Sequence, residues 1–186
     1  MQDEYRDKIE ETYRELRRIK SKVNRLQNSR RSSQYLSDIK AFKNYAVILA
    51  YGCIENTVKH LIADYYKKPG MPIKCQQFAV DLIENSYSLS IKKEIFNKFL
   101  KKDCSVKWFD ELKRRETLQL KDRRSSRFTI SQMYLAVDFI FEERCKFAHG
   151  ESSYQGTINE LVDNFVKAKC WMYELDSIIS NPRFEG

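Results

Sequence analysis

Arg144 and His149 are the residues of this sequence whose types and spacing point most directly to chemistry. Four residues separate them, and Gly150 follows the histidine directly. Arginine presents a planar fork of donors that matches the oxygens of a phosphate, and histidine moves protons near neutral pH. The pair therefore indicates acid–base chemistry on a phosphate group.

The surrounding pattern predicts that this pair lies at the end of a helix. Residues 129–132, Thr-Ile-Ser-Gln, form a capping box that opens a helix, and Gly150 marks the left-handed position after its last turn. The partial negative charge at a helix C-terminus favours a protonated His149. Five positions rotate about 140° around a helix, so both side chains can line a cleft at its end without sharing one face.

The composition favours a few long helices in one domain, or in one domain with an appendage. The chain has 186 residues, 42% of them hydrophobic, but only 5 glycines and 3 prolines for turns. No stretch approaches the roughly 18 apolar residues of a membrane span, and the charged N-terminus is unlike a secretory signal. We therefore expect an all-α cytoplasmic protein with no membrane partner.

Cysteines and histidines are too scattered to predict a metal site. The cysteines are odd in number, and no two have the Cys-x-x-Cys spacing: Cys53, Cys75, Cys104, Cys145 and Cys170. This pattern indicates reduced thiols of a cytosolic protein. His60 and His149 are the only histidines, so a zinc site is not expected, and no cofactor is predicted.

Two long helices are predicted in the first third of the chain. Residues Asp3–Gln27 carry a heptad-like apolar seam that packs either on the domain or on a second copy: Tyr5, Ile9, Thr12, Leu16, Ile19, Val23 and Leu26. After a polar loop at 28–33, the second helix spans Tyr35–Tyr66. Between Tyr45 and Ile54 it is apolar nearly all round, which predicts the most buried helix, and Gly52 is expected to permit close helix contact.

The rest of the chain divides into an irregular middle and two further helices. Short helices are predicted at 73–84, 90–101 and 105–115. The helix that opens at Thr129 ends near His149, and a second capping box at 157–160 opens a last helix. Asn181-Pro182 closes that helix.

The net charge of +8 indicates attraction to polyanions such as nucleic acid or acidic lipid. The segment 113–127 carries seven cations and two anions and is either a grip for phosphates or a solvated basic loop. The residues expected to contact RNA there are Arg114, Arg115, Lys121, Arg123, Arg124 and Arg127.

The string Arg-Cys-Lys-Phe-Ala-His-Gly at 144–150 resembles the Arg-x4–6-His signature of HEPN domains (higher eukaryotes and prokaryotes nucleotide-binding). Upstream, Tyr51 precedes Glu55 by four residues, which is similar to the second helix of small stand-alone HEPN nuclease-like proteins. Downstream, the order continues through Tyr154 to a long closing helix. The resemblance covers roughly residues 35–180.

The resemblance implies an all-α, HEPN-like bundle of four to seven helices, with long antiparallel helices and a homodimer that forms a composite RNA cleft. It also implies a metal-independent endoribonuclease in which Arg144 and His149 are catalytic, with a toxin or phage-defence role. An antitoxin or a nucleotidyltransferase is the further partner it suggests. The residue after the arginine is often polar in this family, whereas here it is Cys145, whose thiol is a weak hydrogen-bond partner.

Under this resemblance, residues 1–28 form an N-terminal amphipathic helix that packs on the domain or dimer, and residues 29–186 form the HEPN-like domain. Glu55, Lys59, Cys145 and Lys146 are the residues expected to shape the site.

Several alternatives stay open at this point. Glu55 could simply pair with Lys59 one turn on, and Cys145 could be only a small packing residue. Arg144 and His149 could do no more than interact favourably with the partial negative charge at the helix C-terminus. The competing function is an inactive HEPN partner that binds RNA or a nucleotide without turnover, and a structural helical adaptor is a third class.

Overall fold

The computed structural model describes residues 3–67, 70, 72–74, 76–77, 80, 114, 128–148 and 153–179. It contains the α-helices α1 (Asp3–Gln27), α2 (Leu36–Tyr66), α3 (Ile130–Ala148) and α4 (Ile158–Ile179), with a 3-10 turn at Ser32–Tyr35. None of the described residues lies in a strand, so the all-α prediction is confirmed. Residues 73, 74, 76, 77, 80 and 114 are helical; the rest of the predicted middle helices, and Asn181-Pro182, lie outside the described residues.

The chain divides into two compact units. Unit I consists of residues 2–54 and 133–169, and unit II of residues 55–132 and 170–186. The core of unit I includes Leu16, Val47, Ile140, Leu161 and Phe165, which are all buried. The core of unit II includes Val58, Leu61, Trp171, Met172 and Leu175.

The apolar seam of α1 is buried within unit I. Its buried members are Ile9, Thr12, Leu16, Ile19 and Val23. Residues three and four apart share one face of a helix, so these side chains form one stripe that packs inside the chain. This burial leaves the stripe unavailable to a second copy.

One face of the first half of α2 is open to solvent. Tyr45 is 50% exposed and Ile48 is 56% exposed, so the apolar residues of 45–54 do not all face the core. A Cβ added at Gly52 would meet no atom within 4 Å, so the expectation that Gly52 permits close helix contact was wrong. Hydrophobic composition cannot tell which face of an apolar helix the fold covers.

Two sequence signals begin α3 and α4. Thr129 N–H donates to Gln132 Oε1 (3.0 Å), and Gln132 N–H donates to Thr129 Oγ1 (3.2 Å), which confirms the first capping box. At α4, Glu160 N–H donates to Thr157 Oγ1 at 3.0 Å. The Glu160 carboxylate lies beside the Tyr154 hydroxyl, with Oε2 3.5 Å from the hydroxyl oxygen, whose proton also faces the carbonyl oxygen of Thr157.

None of the helices in the described part of the chain is long and apolar enough to cross a membrane.

Candidate RNA-processing site

Arg144 lies one turn before the end of α3, and its side chain rests on an aromatic ring of α2. Its guanidinium carbon is 5.1 Å from the centroid of the Tyr51 ring, and Tyr51 is only 4% exposed. A cation over an aromatic face is attracted by the ring quadrupole, and a stacked guanidinium keeps its N–H donors at its edge. The contact therefore holds the donors of Arg144 in one orientation.

The Tyr51 ring is itself fixed by a second residue of α3. The Phe141 ring lies 6.0 Å from the Tyr51 ring at an interplanar angle of 45°. Phe141 and Arg144 are three positions apart and so are neighbours on one face of α3. Tyr51 thus packs against both Phe141 and Arg144, and this packing fixes the position of the Arg144 guanidinium.

No carboxylate of the described residues neutralises the charge of Arg144. Within the described part of the chain, no carboxylate pairs with Arg144, whereas its neighbour Lys146 pairs with Glu143. Arg144 is half-buried, which weakens solvent screening of its charge. An anion that reached this guanidinium would meet a positioned donor that no described acid already occupies.

His149 and Gly150 lie outside the described residues, immediately after the end of α3 at Ala148. The chain is described again from Ser153. The prediction that Arg144 stands in the last turns of a helix is confirmed by the bounds of α3. The pairing of Arg144 with His149 stays a prediction.

Tyr154 anchors the connection between α3 and α4 to α2. Its backbone N–H donates to Asn44 Oδ1 at 3.1 Å, and its hydroxyl donates to the carbonyl oxygen of Thr157 at 3.1 Å. The Phe139 ring packs edge-on, with the two ring centroids 6.3 Å apart. A Cβ at Gly156 would overlap the Tyr154 ring, so the glycine is required for this arrangement.

The electrostatics around Tyr154 keep its hydroxyl protonated. Burial raises the pKa of Tyr154 most, and the nearby carboxylates of Glu160 and Glu143 raise it further. A neutral hydroxyl is needed to donate to Thr157, so the hydrogen bond persists at physiological pH. The Lys43 ammonium lies 5.3 Å from the same ring, and burial lowers the pKa of Lys43.

The structure describes all four residues that were expected to shape the site. Glu55 and Lys59 form an ion pair in unit II at 3.1 Å, with side chains only 14% and 11% exposed, so the pairing that the sequence left open is confirmed. Cys145 is half-buried and forms no disulfide with another described cysteine. Lys146 pairs with Glu143. The roles of all four in the site stay predictions.

Of the cations expected to contact RNA, Arg114 is helical and exposed. The others lie outside the described residues: Arg115, Lys121, Arg123, Arg124 and Arg127. Among the residues that are described, no group of three or more histidine, cysteine or acidic side chains could hold a metal ion.

Sequence reasoning missed two features of this region. Apart from the resemblance, nothing in the sequence predicts that Tyr51 packs under Arg144, because the two residues lie in different helices. The cationic surface of α1, in contrast, could have been predicted from the sequence. Residues 16–37 contain no aspartate or glutamate but carry seven lysines and arginines.

A helical fold with a positioned arginine in the last turns of α3 fits the HEPN class. The chain matches the family model described as RiboL-PSP-HEPN over residues 7–181. The protein therefore belongs to this HEPN family. Comparison with curated proteins and with solved structures found no match.

Proposed function

We propose that the protein is a metal-independent endoribonuclease that cleaves RNA by internal transesterification. The proposal rests on the position of the Arg144 guanidinium. Its guanidinium is held on the buried ring of Tyr51 and has no ion-pair partner among the described residues. It stands five positions before His149 in a chain of the HEPN family. Such an arrangement suits the charge that develops on phosphoryl oxygens.

In the proposed reaction, the 2′-oxygen of a ribose forms a bond to its own phosphorus, and the bond from phosphorus to the 5′-oxygen of the next nucleotide breaks. A base takes the proton of the 2′-hydroxyl, and an acid gives a proton to the leaving 5′-oxygen. The products are a 2′,3′-cyclic phosphate and a 5′-hydroxyl. No water is consumed in this step.

Arg144 would donate hydrogen bonds to the non-bridging oxygens, where negative charge increases at the transition state. A guanidinium fixed in place costs no reorganisation at that moment. Tyr51 would act as a positioning residue, because it touches the arginine and not the reacting atoms. His149 would exchange the protons, since its unperturbed pKa lies close to physiological pH.

Two proton transfers require two groups, and a homodimer would supply them. The only other histidine, His60, belongs to unit II and is adjacent to no similar motif. A two-fold axis brings the same surface of both copies together, so a motif near the axis meets its own counterpart. We propose that RNA binds between two copies, each of which contributes one His149.

By its family, the enzyme would act in the cytoplasm as a toxin or in phage defence, with an antitoxin or a nucleotidyltransferase as a further partner. The competing proposal is an inactive HEPN partner that binds RNA or a nucleotide. Purified protein incubated with total RNA separates the two. Appearance of fragments with 2′,3′-cyclic phosphate ends, absent with His149→Ala, supports the nuclease. Binding of RNA with no such fragments would assign the inactive role.

A further inference from the structure

The C-terminal half of α1 and the turn after it form an exposed, strongly cationic surface. The stretch 16–37 has no acidic residue, and its exposed cations lie opposite the buried seam. We call these residues the basic strip: Arg17, Arg18, Lys22, Arg25, Arg30 and Arg31. Five of the six are arginines, the side chain that best matches the geometry of phosphate oxygens.

Internal pairing leaves most of this charge uncompensated. Arg18 pairs with Glu15 at 3.2 Å, but the Arg18 side chain is 79% exposed, so the pair is weak. In the part of the chain that the structure describes, the side chains of Arg25, Arg30 and Arg31 contact no carboxylate. A surface of this kind attracts a polyanion.

The basic strip and Arg144 flank the open face of α2. Lys22 Nζ lies 4.1 Å from the centroid of the Phe42 ring, which places α1 on that side of α2. Arg144 contacts Tyr51, nine residues further along. Over nine residues, a helix makes about two and a half turns and rises about 14 Å. The two contacts are therefore on opposite sides of α2.

Tyr45 and Ile48 occupy the arc between these two contacts. Tyr45 lies about 60° around the helix from Phe42, and Ile48 about 60° from Tyr51. Both side chains are at least half exposed, and the position of Gly52 beyond them is open. The result is an apolar surface with an exposed aromatic ring, bordered on both sides by cations.

We infer that this face of unit I is a path for single-stranded RNA. The basic strip would hold phosphates, Tyr45 would stack a base, and the strand would reach Arg144 on the far side of α2. Proteins that bind single strands combine a cationic groove with aromatic side chains on which bases stack. The inference rests on the proposed function, because it makes Arg144 the end of the path.

Other occupants fit this face less well. An interfacial membrane helix needs its apolar stripe exposed, but the stripe of α1 is buried. A second copy placed over α2 by a two-fold axis would bring cations against cations on both borders. RNA supplies the negative charge for both borders and an apolar base for the centre.

Binding is measured in a His149→Ala background, so that the RNA is not consumed, by anisotropy of a labelled single-stranded oligonucleotide. Tyr45→Ala should weaken binding about 5- to 160-fold, the range expected when one base no longer stacks, while Tyr45→Phe keeps parent affinity. Leu135→Ala is the matched control, because Leu135 is 63% exposed on α3. Its affinity should equal that of the parent.

The basic strip is tested with Arg25→Gln, Arg30→Gln and Arg31→Gln combined. The slope of log affinity against log salt should fall by about 0.7 for each phosphate that the variant no longer neutralises. Arg6→Gln is the control, since Arg6 is exposed on the same helix but lies outside the basic strip. Tyr45→Ala should leave the salt slope unchanged, because it removes no charge.

Parent affinity in Tyr45→Ala would overturn the inference. So would two specific outcomes: Tyr45→Ala turning a dimer into a monomer with RNA affinity unchanged, or the basic-strip variant losing only binding to phosphatidylserine vesicles. These results are distinct from failure of the nuclease proposal. A wild-type protein that cleaves nothing but needs Tyr45 for binding refutes only the nuclease. Cleavage of RNA that does not depend on Tyr45 refutes only the path.

Discussion

The guanidinium of Arg144 lies over the ring of Tyr51, with 5.1 Å from its central carbon to the ring centroid. The two residues belong to α3 and α2, and both lie in unit I. The buried ring acts as a rigid surface, because Tyr51 is also packed against Phe141. The contact orients the one arginine that both the family signature and the chemistry single out.

Tyr51→Leu should lower the rate of RNA cleavage by about 2- to 30-fold, the range that corresponds to removal of one cation–π interaction. The effect should fall on kcat more than on KM, because orientation of Arg144 matters most at the transition state. Tyr51→Phe keeps the ring face and should retain the parent rate. Equal rates for the leucine and phenylalanine variants would rule out a positioning role for the ring.

Arg144→Ala and His149→Ala should each lower cleavage by about 100- to 10,000-fold, as expected for loss of a positioned acid, base or charge donor. Thermal melting checks that each variant remains folded. The control is His60→Ala, which should cleave normally. Full activity of His149→Ala, prepared free of host nucleases, would refute the assignment.

Cleavage should survive an excess of EDTA. The proposed reaction uses only side chains of the protein, and the sequence has two histidines and widely spaced cysteines as ligand candidates. The measurement compares initial rates with and without chelator. Loss of activity that magnesium or manganese restores would show that the reaction depends on a metal.

The protein should be a homodimer at micromolar concentration in light scattering, with a mass near twice 22.2 kDa. After exchange with an excess of His149→Ala subunits, wild-type subunits should lose activity, because a heterodimer holds only one of the two His149 residues that the two proton transfers require. Wild-type protein mixed with the same excess of His60→Ala protein serves as the baseline. Full activity in a monomeric peak would exclude a shared site.

Asp64→Asn should stabilise the protein at pH 7. Burial raises the pKa of Asp64 above its ordinary value of 3.8, opposed by the nearby charges of His60 and Lys67, while Asp176 raises it further. The folded state therefore binds the proton more tightly than the unfolded state, so ionisation of Asp64 opposes folding as the pH rises above 3.8.

Denaturant unfolding at several pH values measures this difference. The advantage of Asp64→Asn should shrink as the pH falls and should disappear well below 3.8, where both states of the wild type are protonated. Asp163→Asn, on the exposed face of α4, is the matched control. An advantage that is constant with pH would mean that ionisation of Asp64 is not its cause.

Local residue patterns predict where the helices begin and that Arg144 lies in a helix. The reciprocal bonds of Thr129 and Gln132 are local, so a four-residue pattern suffices to predict them. The bounds of α2 were predicted to within one residue, because apolar periodicity and the breakers after Tyr66 act within one segment. Arg144 belongs to α3 for the same reason.

Which helix faces are covered and which side chains meet depends on how the helices pack together. Tyr45 and Ile48 are exposed although the sequence around them is apolar, because burial depends on where neighbouring helices pack. Glu160 Oε2 lies 3.5 Å from the Tyr154 hydroxyl, a neighbour that the capping-box pattern does not predict. Tyr51 lies under Arg144 because α2 and α3 pack together, and no local pattern encodes a contact between separate helices.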